Sequence, residues 1–284
     1  GPSTASGGPP APAETLLLTS PSGAARMAML GRWLATDLKI RRVALLTTPD
    51  HTEPAARLAA ACRTQGLEVV ADIMLPPATR GQPAAPREAA TREAGAQETG
   101  ELARVFARLQ AGQPQALFIG AEGQQAARII RAARQFAPGL ALFGGASLVA
   151  PAIIAASGDA AIGVRGFASL TPDPPVSALK DFRDSFQRQF HTSPDPVSMQ
   201  GYIALSMLGA AMQLAGAAAL GDQATAGPAL ATALRAAPLT ATNTPGLLLD
   251  TSWNAAGEPD RVAFIAEVLP GGSLGWSVVP PLIG

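Results

Sequence analysis

Arg42-Val-Ala-Leu-Leu-Thr47, followed at once by Thr48-Pro-Asp-His51, is the stretch that decides the fold. Six residues without an interior charge are too short for a stable helix and lack the alternation of a half-exposed strand, so they predict a strand buried on both faces. Working outward, Arg26–Leu38 repeats apolar residues at helical spacing on one side. On the other side Ala55–Gln65 is helical, ends at the natural C-cap Gly66, and leads into a second strand over Leu67–Leu75. The rhythm continues with helix Thr99–Gln110, strand Ala116–Ile119, helix Gln124–Phe136 and strand Leu140–Phe143. Such alternation predicts an α/β lobe, a doubly wound parallel sheet with helices on both faces. The segment between, Pro76–Glu98, is rich in Pro, Ala, Gly and Thr and is expected to be a long surface loop.

From Pro172 the pattern changes. Two Pro-rich joints, Thr171–Pro175 and Ser193–Pro196, bracket a helix over Val176–Phe190. The helices that follow, Ser198–Ala219 and Ala229–Arg235, are rich in Ala and largely uncharged, so they are expected to be buried against something. Strands are expected at Leu247–Leu249, Arg261–Leu269 and Leu274–Val278, with Gly271-Gly272 turning a hairpin between the last two. The expected organisation is a tether or truncated end over residues 1–15, an α/β lobe from residues 16–168 plus 246–284, and a helical part of a second lobe over 169–245.

Composition narrows the function. Hydrophobic residues make up 48% of the chain and charged ones 15%, enough for a sizeable core. Lys plus Arg and Asp plus Glu are 21 each, so no net field draws in nucleic acid, and no nucleic-acid partner is expected. With Cys62 the only cysteine and His51 and His191 the only histidines, neither a disulfide nor a metal cluster is expected. Cys62, Trp33, Tyr202 and Trp276 read as packing residues, and His191 as a residue at a helix C-terminus. No GxSxG elbow, phosphate loop, HExxH or dinucleotide fingerprint is present, so neither a catalytic residue nor a cofactor is expected.

An ordered series of local signatures then points to a family. Leu17–Pro21 resembles a first passage between lobes, and Arg41–Leu46 the strand that opens a second lobe. Gln113-Pro-Gln-Ala-Leu-Phe-Ile-Gly120, Leu142-Phe-Gly-Gly-Ala-Ser147 and Asp159-Ala-Ala-Ile-Gly-Val164 follow, then Asp195-Pro to Tyr202 and Asn254-Ala-Ala-Gly257. In this order they resemble the type I periplasmic binding proteins that serve branched-chain amino acid ABC transporters. The resemblance implies a non-enzymatic receptor in the periplasm or cell envelope, its signal or anchor removed. A small-molecule solute would bridge two lobes, and a membrane permease would read the closed state. Members of that family carry a further sheet-forming region before the first passage. Here only a Gly/Pro-rich stub precedes Leu16, in which Gly1–Gly7 resembles the family's "GPxxSg" ligand loop. The helices from Val176 to Arg235 are therefore expected to find another partner, each other or a second subunit in a homo-oligomer.

Ligands of open parallel sheets sit beyond the carboxyl ends of the strands. That rule selects Thr48, Asp50 and His51 after the first strand, Ala121 and Glu122 after the third, and Ala146 and Ser147 after the fourth. Asp50 can accept hydrogen bonds, and histidine is the side chain that changes charge near neutral pH. Capping is the competing role for Thr48, Asp50 and Ser147, and complementing a helix N-terminus is the one for Glu122. By the resemblance, receptors for α-amino acids place an aromatic residue in the first loop and an acidic one in the third. Asp50-His51 and Gly145-Ala146 stand there instead. An unpaired buried ammonium is costly, so the expected ligand is a small polar solute, amino-acid-like or otherwise, but held without the usual amine clamp and not a standard branched-chain amino acid. The alternative is a ligand-independent interaction domain of the same fold, such as an envelope activator of penicillin-binding proteins.

Overall fold

A computed structural model describes residues 17–76, 88–171, 176–216, 221 and 223–282, together with the backbone but not the side chains of 88–99 and 223–225. The expected tether over residues 1–15, with its "GPxxSg"-like stretch, lies outside the described residues, as does most of the joint at 172–175. The chain divides into two compact units, one built on Arg26–Ala168 with Ile265–Ser277 and the other on Ser169–Phe264.

The first of these is the doubly wound lobe. Helix α1 (Gly23–Thr36) precedes strand β1 (Arg42–Thr47), whose residues after Arg42 are all buried, as a strand covered on both faces requires. Helix α2 (Thr52–Thr64), strand β2 (Glu68–Met74), helix α3 (Glu88–Ala111), strand β3 (Ala116–Gly120), helix α4 (Gly123–Phe136) and strand β4 (Ala141–Gly145) follow. After helix α5 (Pro151–Ser157) comes strand β5 (Arg165–Ala168). The five strands lie in the order β2-β1-β3-β4-β5 and every pair among them is parallel. The chain returns later to extend the same sheet with β8 (Ala263–Val268) and β9 (Leu274–Val279). These two are linked by the expected hairpin, with Gly271 and Gly272 at φ 84° and 80°, values that side chains disfavour.

Apolar packing is continuous from Leu46, Leu117 and Leu142 to Phe106, Ile129, Ile130 and Val268. Arg165 at the start of β5 forms a two-point ion pair with Glu267 of β8, Nη2–Oε1 2.9 Å and Nε–Oε2 3.1 Å. Arg134 of α4 donates to the carbonyls of Leu140, Ala160 and Ile162, holding the loops around α5 against the helix.

The second unit is mainly helical, with α6 (Ser177–Phe190), α7 (Pro196–Ala215) and α8 (Gln223–Ala236). Helix α7 starts on a capping box in which the Asp195 carboxylate accepts from Ser198 N (2.7 Å) and Ser198 Oγ accepts from Asp195 N (3.0 Å). A two-stranded antiparallel ribbon, β6 (Ser252–Trp253) and β7 (Pro259–Asp260), completes the unit. His191 is exposed at φ 55° just beyond α6, its N–H bonded to Gln187 O, as a residue at a helix C-terminus.

Three expectations need correction. The segment Pro76–Glu98 is not wholly loop, because α3 begins at Glu88. Its Ala, Glu, Arg and Gln content favours helix despite Gly95 and Gly100. Leu247–Leu249 is not a strand. The three leucines are buried from a turn-rich segment, and the pairing begins only at Thr251, opposite Leu239. Tyr202 is 38% exposed and not a core residue, while Trp33 and Cys62 are buried and Trp276 packs against the core.

Candidate functional site

The strand order sets the place. The connection from β1 runs to β2 on one side, and the next returns to β3 on the other, so the loops leaving β1 and β3 diverge and open a crevice at the carboxyl ends of adjacent strands. Thr47 of β1 stands in register with Gly120 of β3, and Ile119 with Gly144 of β4. The sequence-selected residues thus emerge side by side from three neighbouring strands.

Glycine makes this approach workable. A Cβ on Gly120 would fall 2.9 Å from Thr47 Cγ2 and 3.0 Å from His51 Cβ, and one on Gly144 would fall 2.7 Å from the carbonyl oxygen of Ile119. Neither glycine was singled out from the sequence, because nothing in a single chain separates a packing glycine inside a strand from a turn glycine.

Thr48 is buried and leaves the sheet with its N–H donating to Gly120 O at 2.8 Å. Its hydroxyl makes no cap bond to the short 3-10 turn Pro49–His51, contrary to the capping role. It lies 3.3 Å from Gly120 O and 3.1 Å from His51 Nδ1. A carbonyl only accepts, so the hydroxyl donates there and the ring Nδ1–H donates to the hydroxyl. The other ring nitrogen, Nε2, faces Glu122 Oε1 at 3.5 Å, an ion pair whenever the ring carries its second proton. Glu122 occupies the N-cap position of α4 with extended backbone and no side-chain cap bond, its carboxylate given to His51.

The structure therefore brings Thr48, His51 and Glu122 together across the crevice floor, with Ala121 buried beside them. Asp50 is exposed next to His51. Ala146 and Ser147 open the 3-10 turn after β4 and are also exposed; the N-cap position of that turn is Gly145, and the Ser147 carbonyl accepts from Ala150 N. The site offers carboxylates as acceptors, an imidazole and the N–H groups of the first turn of α4. Among the described residues no three His, Cys, Asp or Glu side chains gather to hold an ion, and the buried Thr48 hydroxyl is engaged by the Gly120 carbonyl. This set suits reversible binding of a polar molecule.

A family model described as periplasmic binding protein matches residues 1–273. The chain belongs to that family. Its members are extracytoplasmic binding proteins, not enzymes, and among the described residues of this periplasmic binding protein no helix is long and apolar enough to cross a membrane. No curated protein matches it. Solved structures share its fold at low identity. A putative branched-chain amino acid ABC transporter protein from Rhodospirillum rubrum aligns at TM-score 0.71 and 20% identity over 91% of this chain and 66% of its own. A solute-binding protein from R. palustris in complex with benzoate aligns at TM-score 0.60 and 19% identity over 93% and 65%. A leucine-binding protein from Thermotoga maritima aligns at TM-score 0.60 and 18% identity over 91% and 66%. This periplasmic binding protein thus spans just under two thirds of the length of those relatives.

Proposed function

We propose that this chain is the ligand-recognising portion of a solute-binding protein of an ABC-type uptake system, working in the periplasm or cell envelope and delivering its ligand to a membrane permease. The ligand is a small polar solute, held at the carboxyl ends of β1, β3 and β4 by Thr48, Asp50 and His51, Ala121 and Glu122, and Ala146 and Ser147. The observation that carries this reading is the His51–Glu122 opposition at the point where the strand order reverses, two polar groups set 3.5 Å apart on different loops. The solute can be amino-acid-like, but a standard branched-chain amino acid is disfavoured, because the loop after β4, where the resemblance expects the acid that pairs with the ammonium, presents Gly145-Ala146.

A thermal-shift panel of amino acids, aromatic acids, polyols and small carboxylic acids tests this. A ligand at a hundred times its dissociation constant stabilises by about 2.7 kcal/mol. A polar solute is expected to raise the melting temperature of the parent, and to do so much less in His51→Ala or Glu122→Gln. Strong stabilisation by leucine, isoleucine or valine would overturn the exclusion of branched-chain amino acids, and stabilisation that survives both substitutions would overturn the site.

A second reading, a ligand-independent domain that holds a partner protein, is favoured by one feature, the uncovered apolar side of α7. On that reading no solute stabilises the protein, and substitutions on α7, not at His51, remove its activity.

A further inference from the structure

The neighbours of His51 decide which of its ring nitrogens carries the proton. The buried Thr48 hydroxyl donates to Gly120 O, so its oxygen is left to accept, and the ring meets it with Nδ1 at 3.1 Å. A neutral imidazole has one N–H, and that N–H is therefore Nδ1–H. Nε2 is then a lone pair, and it stands 3.5 Å from Glu122 Oε1. Two acceptors turned towards each other repel unless a donor lies between them.

Nothing nearby supplies that donor. The loops 48–51, 120–122 and 145–147 contain neither Lys nor Arg. Exposed Asp50 is one more acceptor, and Glu53, in the first turn of α2, is paired with Arg57. The two acceptors are also unequally fixed. The His51 side chain is 24% exposed and packs where Gly120 has no Cβ, whereas the Glu122 side chain is 66% exposed and stands in the open crevice.

We infer that the solute presents two adjacent hydroxyl groups to this lobe, one donating to His51 Nε2 and the other to Glu122 Oε1, and that a proton on Nε2 competes with it. This rests on the receptor function proposed above and names the end of the solute that His51 selects. Vicinal hydroxyls, as on a polyol or a sugar, fit because each donates one hydrogen bond and can still accept one from the N–H groups that open α4. An ammonium would find one charged partner, itself mostly in water, which offsets its desolvation poorly. A carboxylate end would face the carboxylates of Asp50 and Glu122. A second proton on the ring turns Nε2 into a donor, pairs it with Glu122 and removes the acceptor, so affinity is full with the ring neutral and is lost as pH falls.

Two measurements test the inference, the first without any solute. Long-range proton–nitrogen correlation spectra of the parent and of His191→Gln, which removes the one other histidine, read the His51 tautomer at about pH 8. The proton is expected on Nδ1; a neutral ring protonated on Nε2 overturns the inference whatever the protein binds. Calorimetric titrations with glycerol, xylitol, ribose, leucine and benzoate give the second arm. A polyol or ribose is expected to bind at about pH 8 and to lose affinity severalfold by about pH 5, an interval in which histidines titrate and hydroxyl groups do not. His51→Gln is expected to bind it more weakly at the higher pH and to show no such pH dependence. Binding of leucine or benzoate alone, or of a polyol with unchanged affinity at both pH values, would overturn the inference and leave a receptor standing. Binding of no probe here or in the thermal-shift panel would overturn the receptor reading with it.

Discussion

Replacing Arg261 by methionine is expected to stabilise the protein. Arg261 lies between β7 and β8 and is 1% exposed, and among the described residues none of its three guanidinium nitrogens has a hydrogen-bond partner. Burial alone pushes its pKa down to about 10, well below the ordinary arginine range. At about 1.4 kcal/mol per tenfold change in proton affinity, the displacement corresponds to roughly 3 kcal/mol against the charged, folded state. The folded pKa lies below the unfolded one, so the cost is absent above the unfolded value. It grows as pH falls and is complete below about pH 10, hence constant across the neutral range. Methionine fills a similar volume without a charge to desolvate, and some of the gain is lost to imperfect packing, leaving about 1–3 kcal/mol. At about 2–4 °C per kcal/mol for a chain of this order of size, the melting temperature at pH 7 rises by several degrees. Arg261→Lys, which keeps a buried cation, should give no such rise. Scanning calorimetry or fluorimetry reads both. An Arg261→Met protein with native circular dichroism and a melting temperature several degrees below the parent would refute the reasoning, because it would mean that the guanidinium is paired.

Gly144→Ala drives a methyl group to within 2.7 Å of the Ile119 carbonyl oxygen and is expected to cost about 2 kcal/mol in a urea titration; unchanged stability would mean that β3 and β4 separate freely there. Asp195→Ala removes the α7 capping box and lowers stability at neutral pH. Hydrogen bonds from Ser198 hold the Asp195 carboxyl below its usual range. Its contribution is therefore present above the unfolded value and lost as pH falls through the folded one, so the difference between parent and variant should shrink in acid. Burial raises the Cys62 thiol to about 11, so a thiol reagent at neutral pH should react only as the protein unfolds, and rapid labelling of the native chain would contradict the packing.

How far the site could be read from the sequence depends on what each loop does. Thr48, His51 and Glu122 were reachable because the carboxyl ends of β1 and β3 follow from apolar runs that stop at Thr-Pro and Gly-Ala, and fold physics places ligands there. Their mutual arrangement was not, since the 3.5 Å between His51 and Glu122 spans separate loops that only the register of Thr47 with Gly120 brings together. Capping looked the stronger role for Thr48 in one dimension, and a tertiary partner, the Gly120 carbonyl, took the hydroxyl instead.

By itself the sequence determined the lobe of alternating strands and helices, because a strand buried on both faces and an amphipathic helix have different periods, and those periods are written locally. Its ordered motifs carried the family. The start of α3 at Glu88, the coil state of Leu247–Leu249, the solitary buried charge of Arg261 and the bare face of α7 were decided in the tertiary structure. Each depends on what lies across from a residue rather than beside it. A run of leucines states that it will be buried, and a charge-free helix that it wants covering, but neither names the surface that does so.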